Sequence, residues 1–279
     1  MSKVKTAIAG LISRIMNIEL DRIYNMDCLE GMKQMEAESV DLTVTSPPYD
    51  NLRTYNGYCF DFENIARELY RVTKHGGVVV WVVNDAVENG SETGTSFRQA
   101  LFFMEIGFRL HDTMIYQKQN YIPLTHNRYE QAFEYMFVFS KGRPKTFNPI
   151  KVECKNAGKV ESYGSERRRV IDNKQAMRSP EGKVFMATHE TKYHSNIFEY
   201  ACGIERTGHP APFPNLLARD QITSWSNEGD IVLDPFMGSG TTAYVARALG
   251  RHYLGFEISP EYCKLIDNRL ERTKSLFDL

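Results

Sequence analysis

The pentapeptide Thr45-Ser46-Pro47-Pro48-Tyr49 closes a β-branched run, Val40–Thr45. Two successive prolines fix the backbone and remove two N–H donors, so nearby carbonyls stay free to accept hydrogen bonds, while the tyrosine displays an aromatic ring at the strand end. Such a turn is a rigid cradle for a flat, amino-bearing ring. The plainer alternative is a Pro-Pro turn leaving a strand with a core tyrosine. Far downstream, Asp234-Pro235-Phe236-Met237-Gly238-Ser239-Gly240-Thr241-Thr242 follows the run Asp230–Leu233 and precedes the helical run Ala243–Leu249. Strand, glycine turn and helix in that order make a nucleotide-cofactor loop: Gly238 and Gly240 let the backbone approach a ligand, and the N–H groups that open the helix face an anion. No Lys follows the second glycine, which excludes an ATP-type phosphate loop. Glu257, seventeen residues after Gly240, ends the next strand, Tyr253-Leu254-Gly255-Phe256-Glu257, where an acid accepts hydrogen bonds from ribose hydroxyls. Two adenosine-containing cofactors are compatible with this loop, NAD and S-adenosylmethionine.

The elements that must hold these residues are short β-branched and aromatic runs alternating with helical spacing. The strand-like runs are Asp21–Asn25, Val40–Thr45, Val78–Val83, Arg109–Gln117, Glu134–Ser140, Asp230–Asp234 and Tyr253–Glu257. Phe62 to Thr73 carries apolar residues at 62, 65, 66, 69 and 72, a helical stripe that Lys74-His75-Gly76-Gly77 ends before the next strand. This alternation predicts an α/β fold with a mostly parallel sheet of seven strands. From about Pro144 to Arg206 the periodicity stops, and glycines, prolines and charges mark an insertion.

The net charge of −1 conceals a patch: between Lys141 and Lys192 thirteen Lys/Arg face six acids, a local charge of about +7, including Arg167-Arg168-Arg169. Five scattered cysteines, at 28, 59, 154, 202 and 263, are never spaced Cys-x-x-Cys, which argues against a disulfide framework and a structural zinc site and for a reducing compartment. His189-Glu190-Thr191-Lys192-Tyr193-His194 has its second histidine one residue too far along for a zinc-protease helix, so no metal is expected. No apolar run reaches membrane-spanning length, and Ala7–Met16, interrupted by Arg14, reads as an N-terminal helix or arm rather than a signal peptide. The cytosol is the expected compartment.

With both motifs in view, the chain resembles the amino-methyltransferases of DNA, whose signature pair is [Ser/Asn/Asp]-Pro-Pro-Tyr and Asp-Pro-Phe-x-Gly-x-Gly-Thr. The order of motifs, with a basic segment between, is similar to the β group of that family. The resemblance covers most of the chain outside 144–205. It implies a Rossmann-like S-adenosylmethionine-dependent methyltransferase fold in which residues 1–143 form the catalytic half of the core, 144–205 a basic target-recognition insertion and 206–279 the cofactor-binding half. It also implies catalytic roles for Ser46, Pro47, Pro48 and Tyr49. The implied cofactor set is Asp27, Cys28, Thr45, Asp234, Phe236, Gly238, Ser239, Gly240, Thr241, Thr242 and Glu257. Within it, Asp234 would hold the cofactor's amino group, Gly240–Thr242 its carboxylate, Glu257 the ribose and Asp27 the adenine. Asn25-Met26-Asp27-Cys28 resembles the acidic turn at the adenine, and Thr207-Gly208-His209-Pro210-Ala211-Pro212-Phe213-Pro214 the segment beside the methionine end. Arg167, Arg168 and Arg169 would contact double-stranded DNA.

The implied reaction is methyl transfer to an exocyclic amino group of a flipped base. Ser in the first motif position resembles the N4-cytosine members, with N6 of adenine as the second reading and an RNA or protein amide as a lesser one. A restriction-modification setting with a cognate endonuclease, a homodimer and a prokaryotic or phage-encoded, DNA-associated cytoplasmic protein are the family's expectations. A NAD-dependent dehydrogenase would share the glycine loop and the terminal acid, but it gives no reason for Ser-Pro-Pro-Tyr or for the basic segment. A non-catalytic DNA-binding module would not need the cofactor loop.

Overall fold

The computed structural model describes residues 18–48, 60–121, 127–154, 160–163, 184–187, 190–201 and 214–277. Tyr49, Arg167–Arg169, His189, the arm 7–16 and the segment 207–213 lie outside the described residues. The chain divides into two compact units, one running to Asn148 and resuming at Asn196, the other spanning Pro149–Ser195. The expected insertion, 144–205, is wider than this second unit.

In chain order the first unit carries β1 (Arg22–Tyr24), α1 (Cys28–Lys33), β2 (Val40–Thr45), α2 (Phe62–Val72), β3 (Thr73–Val83), the hairpin β4 (Val87–Glu88) and β5 (Ser91–Glu92), α3 (Thr95–Glu105), β6 (Arg109–Lys118) and β7 (Phe133–Ser140). The second unit holds β8 (Lys151–Glu153), β9 (Val160–Tyr163), β10 (Val184–Ala187) and β11 (Thr191–Tyr193). The first unit resumes with β12 (Ile197–Tyr200), α4 (Asn215–Trp225), β13 (Ile231–Asp234), α5 (Thr241–Ala248), β14 (His252–Phe256) and α6 (Pro260–Phe277). In the second unit β8 pairs antiparallel with β11 and β9 antiparallel with β10.

The first unit is built on an eight-stranded sheet in the order β1-β14-β13-β2-β3-β7-β6-β12. β7 runs antiparallel to both neighbours, and every other pairing is parallel. The sheet has one strand more than the sequence predicts. That strand, Ile197–Tyr200, lies inside the segment read as aperiodic and pairs parallel to β6 at the sheet edge. Its exposed–buried alternation lasts four residues, with Phe198 and Tyr200 inward, which is too short to stand out as a period. Asn196 positions it: its carbonyl accepts from the Ile115 N–H at 2.8 Å and its side chain donates to the Thr113 carbonyl at 3.1 Å.

β2 is buried along its whole length and β3 along almost all of it, as expected for central parallel strands covered by helices on both faces. On one face α2 turns Ile65, Ala66, Leu69 and Val72 inward, the predicted stripe, onto a core with Met32, Val79, Trp81, Phe103, Phe139 and Phe256. Arg71 fixes the end of α1 by donating to the Met32 carbonyl at 2.6 Å and the Met35 carbonyl at 2.9 Å. Gly31 lets α1 sit directly on β14, because a Cβ there would lie 2.1 Å from the Phe256 ring. Gly31→Ala is therefore expected to cost about 1–3 kcal/mol through overpacking. In a thermal melt this appears as a drop of roughly 2–10 °C, and an unchanged melting temperature would mean that the two elements can separate at no cost.

The chain leaves β2 through α2 toward β3 on one side, and leaves β13 through α5 toward β14 on the other. The neighbours β2 and β13 are thus the point where the direction of winding reverses, the place where open α/β sheets bind ligands at the carboxyl ends of the strands.

Candidate active site

The two sequence motifs, far apart in the chain, leave the carboxyl ends of these adjacent strands. Val232 and Leu233 of β13 pair with Leu42 and Thr43 of β2, which brings Asp234 beside Thr45. The Thr45 hydroxyl donates to Asp234 Oδ1 at 2.6 Å, and the Thr242 hydroxyl, from the first turn of α5, donates to Oδ2 at 2.8 Å. The Phe236 N–H adds a third bond to Oδ1 at 3.0 Å. Thr242 is also within 3.2 Å of the Val44 carbonyl of β2. Asp234 has no exposed surface. Burial pushes its carboxyl up to about 6, against the downward pull of the Thr45, Thr242 and Phe236 hydrogen bonds.

Strand β2 ends at Thr45, and Ser46, Pro47 and Pro48 follow, with Pro47 buried and its neighbours half-buried. Ser46 therefore starts one residue beyond the Thr45–Asp234 bond, and the two sequence motifs are joined by this buried link.

Gly238 and Gly240 take positive φ, 54° and 75°, in the left-handed region where glycine carries no side-chain penalty. Gly240 is the N-cap of α5, supplies no side-chain cap and donates its own N–H to the Met237 carbonyl at 2.8 Å, so the helix opens on the backbone N–H groups of its first turn, an end that suits an anion. A Cβ on Gly240 would approach Ile266 of α6 to 2.7 Å. Ser239 and Thr241 are buried, their hydroxyls 3.2 Å apart.

Glu257 follows β14 and is nearly buried. Its Oε2 accepts from the Gly238 N–H and its Oε1 from the Ser259 N–H, both at 2.8 Å. Burial raises its pKa, while the Ser259 and Gly238 hydrogen bonds oppose the rise. Asn25, at the end of β1, donates to the carbonyls of Glu257 at 2.8 Å and Ile258 at 3.1 Å. The sequence marked the Asn25–Cys28 turn but gave Asn25 no task; it clamps the backbone that carries the acid. Asp27 caps α1, its Oδ1 accepting from Leu29 N–H at 2.9 Å and Glu30 N–H at 3.1 Å. The Cys28 thiol sits in the core cluster. Phe236 packs edge-on against Phe60 at 5.7 Å between ring centres and Trp81 at 6.3 Å.

The structure thus gathers Asp27, Thr45, Ser46, Asp234, Phe236, Gly238–Thr242 and Glu257 along one edge of the sheet. The side chains of Thr45, Asp234 and Thr242 close on one another, and the loop's N–H groups at Phe236, Gly238 and Gly240 donate to Asp234, Glu257 and the Met237 carbonyl.

A mostly parallel sheet with a winding reversal, a glycine loop opening a helix and a terminal acid is the arrangement of a nucleotide-cofactor site. A model of the DNA methylase family, the N6 and N4 amino-methyltransferases, matches residues 40–268. The chain belongs to this family. It is 53% identical over 247 residues to the orphan methyltransferase M.BamHII of Bacillus amyloliquefaciens, covering 84% of this chain and 89% of that protein. With the type II methyltransferase M.BglII of Bacillus subtilis it shares 28% identity, covering 87% of this chain and 67% of the other. Among solved structures it resembles the PvuII DNA methyltransferase, described as cytosine-N4-specific, with a TM-score of 0.65 at 21% identity over 91% of this chain and 88% of that one. It also resembles a DNA modification methylase of Thermus thermophilus complexed with S-adenosyl-L-methionine, with a TM-score of 0.59 at 25% identity over 90% and 93%.

Proposed function

We propose that this chain methylates the N4 amino group of cytosine in duplex DNA, with S-adenosylmethionine as the methyl donor. The observation that carries the reading is the Thr45–Asp234 bond, which places Ser46-Pro47-Pro48 and the glycine loop at one point of the sheet.

The donor set suits this cofactor. The opening of α5, capped by a glycine alone, suits a carboxylate; Asp234, whose burial opposes its charge, suits a cationic neighbour; and Glu257 keeps acceptor capacity on both oxygens for ribose hydroxyls. Asp27 would face the adenine. S-adenosylmethionine supplies an electrophilic methyl group on a sulfonium.

The protein's own work is on the acceptor. An exocyclic amino nitrogen is a poor nucleophile because its lone pair is drawn into the ring. The Ser46 hydroxyl and the Pro47 carbonyl accept hydrogen bonds from its two N–H groups and favour a more tetrahedral nitrogen aimed at the methyl. A base inside the duplex cannot reach such a site, so it is flipped, with Tyr49 stacking on its face. The basic 144–205 segment, of which Pro149–Ser195 make up the second unit, supplies phosphate contacts and base readout, with Arg167–Arg169 among the contacts. This reading places the protein in the cytoplasm with DNA.

Ser at the first motif position supports cytosine; N6 of adenine is the alternative within the same family. The names of the type II relatives suggest a partner restriction endonuclease, and the orphan designation of M.BamHII speaks against an obligatory one. The test is to incubate the protein with labelled S-adenosylmethionine and duplex DNA, digest to nucleosides and identify the labelled one by mass. The expected product is N4-methylcytosine. Label in N6-methyladenine would replace the target base, and unlabelled DNA despite cofactor binding would overturn the reading.

A further inference from the structure

The loop that carries the two glycines has a peptide carbonyl, at Ser239, that is held by a side chain from the far end of the sequence. Arg269, on α6, donates through Nη1 to the Ser239 carbonyl at 2.9 Å and approaches the Thr241 hydroxyl at 3.3 Å. Its Nη2 donates to Asn215 Oδ1 at 2.7 Å. The guanidinium lies 4.7 Å from the centre of the Tyr244 ring of α5. One planar cation therefore engages the glycine loop, the first turn of α5 and the first residue of α4, three elements that no local sequence feature connects. α6 reinforces the same point through Ile266, which fills the space beside Gly240.

We propose that Arg269 is a positioning residue that sets cofactor affinity: it locks the Ser239 carbonyl of the peptide unit whose N–H, that of Gly240, donates to the Met237 carbonyl at 2.8 Å, and so fixes the turn from which the first N–H groups of α5 open. A peptide unit is planar, so with its oxygen held by Arg269 and its N–H held by the Met237 carbonyl the Ser239–Gly240 unit is fixed at both ends, and the helix that follows starts in a set direction. Arginine suits the task because its rigid fork serves two acceptors while its face stacks on an aromatic ring; lysine, a single point charge on a flexible stem, cannot do all three. The inference rests on the reading that this loop binds S-adenosylmethionine.

The test compares Arg269→Lys with Arg247→Lys. Arg247 joins α5 to α6 through the Leu270 carbonyl at 2.7 Å and meets the Tyr253 side chain of β14, so it reports on the packing around α5 without a bond to the Ser239 carbonyl. S-adenosylmethionine binding is titrated calorimetrically, and kcat at saturating cofactor, KM for DNA and melting temperature are measured for both. Arg269→Lys is expected to raise the cofactor Kd about tenfold or more, with kcat and the KM for DNA within about threefold of the native values, as for loss of a charged hydrogen bond that orders the binding loop. Arg247→Lys lowers the melting temperature without changing the Kd. An unchanged Kd in Arg269→Lys, or an equal loss of affinity in both variants, overturns the proposal. If the native protein binds no S-adenosylmethionine, the underlying reading of the loop fails instead.

Discussion

Asp234→Asn is expected to lose cofactor affinity and its pH dependence, while matching or exceeding the native protein in stability above pH 6. The native carboxyl is fully buried and held up at about 6, whereas in the unfolded chain it titrates near an ordinary aspartate value. Between those two values the folded protein retains a proton that the unfolded chain has released, so stability falls as pH rises through the window and levels off above it. The span corresponds to about 3 kcal/mol. Asparagine has no charge to bury; its oxygen can keep the Thr45 and Phe236 bonds, and the rotatable Thr242 hydroxyl can turn to accept from its amide. The melting temperature of the variant relative to native therefore rises from pH 4 to about 6.5 and then stays flat. Cofactor binding moves the other way. A cation bound near the loop favours the ionised carboxylate, so native affinity increases as pH rises through about 6, by roughly tenfold for each unit by which binding lowers the pKa, with release of a proton. Calorimetry across pH and in buffers of different ionisation enthalpy reads both effects. An Asn variant that keeps native affinity and the native pH profile would remove Asp234 from cofactor recognition.

The division of labour at Asp234 also shows what could be read from the sequence. The run before Ser46 and the run before the glycine loop each announce a strand followed by a functional turn, because β-branched runs, prolines and glycines act locally. The helical stripe of α2 is legible for the same reason: Ile65, Ala66, Leu69 and Val72 repeat at the spacing of one face. That the two turns adjoin is not a local property. It follows from β13 inserting beside β2 after the chain has built the far side of the sheet, and the Thr45–Asp234 bond joins residues 189 apart. Arg269 and Asn25 were silent in the sequence because each is one polar residue on an otherwise ordinary helix or turn, and its meaning lies in the carbonyls it meets. The inward turn of Asp234 is equally hidden, since the motif names the residue but not the direction of its carboxylate. β12 was missed because four residues at a sheet edge carry too little periodicity.

Tyr49→Ala carries the largest expected effect on the DNA side. The chain from Thr45 to Pro48 is anchored, through the Asp234 bond and two prolines of fixed φ, and it leads directly into Tyr49. Stacking a base on an aromatic ring is worth about 1–3 kcal/mol, so kcat/KM for duplex DNA is expected to fall roughly 10- to 100-fold, with cofactor Kd unchanged. Tyr49→Phe and Tyr49→Trp keep the ring and should retain most of the activity. A mismatch at the target base lowers the cost of extruding it, so mismatched duplexes should recover part of the activity of the alanine variant and gain little with the native protein. A tyrosine that merely packed in the core would behave otherwise: its loss would lower the melting temperature and cofactor affinity together, and no mismatch would restore the rate. The mismatch response thus separates a base-stacking ring from a packing ring at the one position where the sequence allowed both.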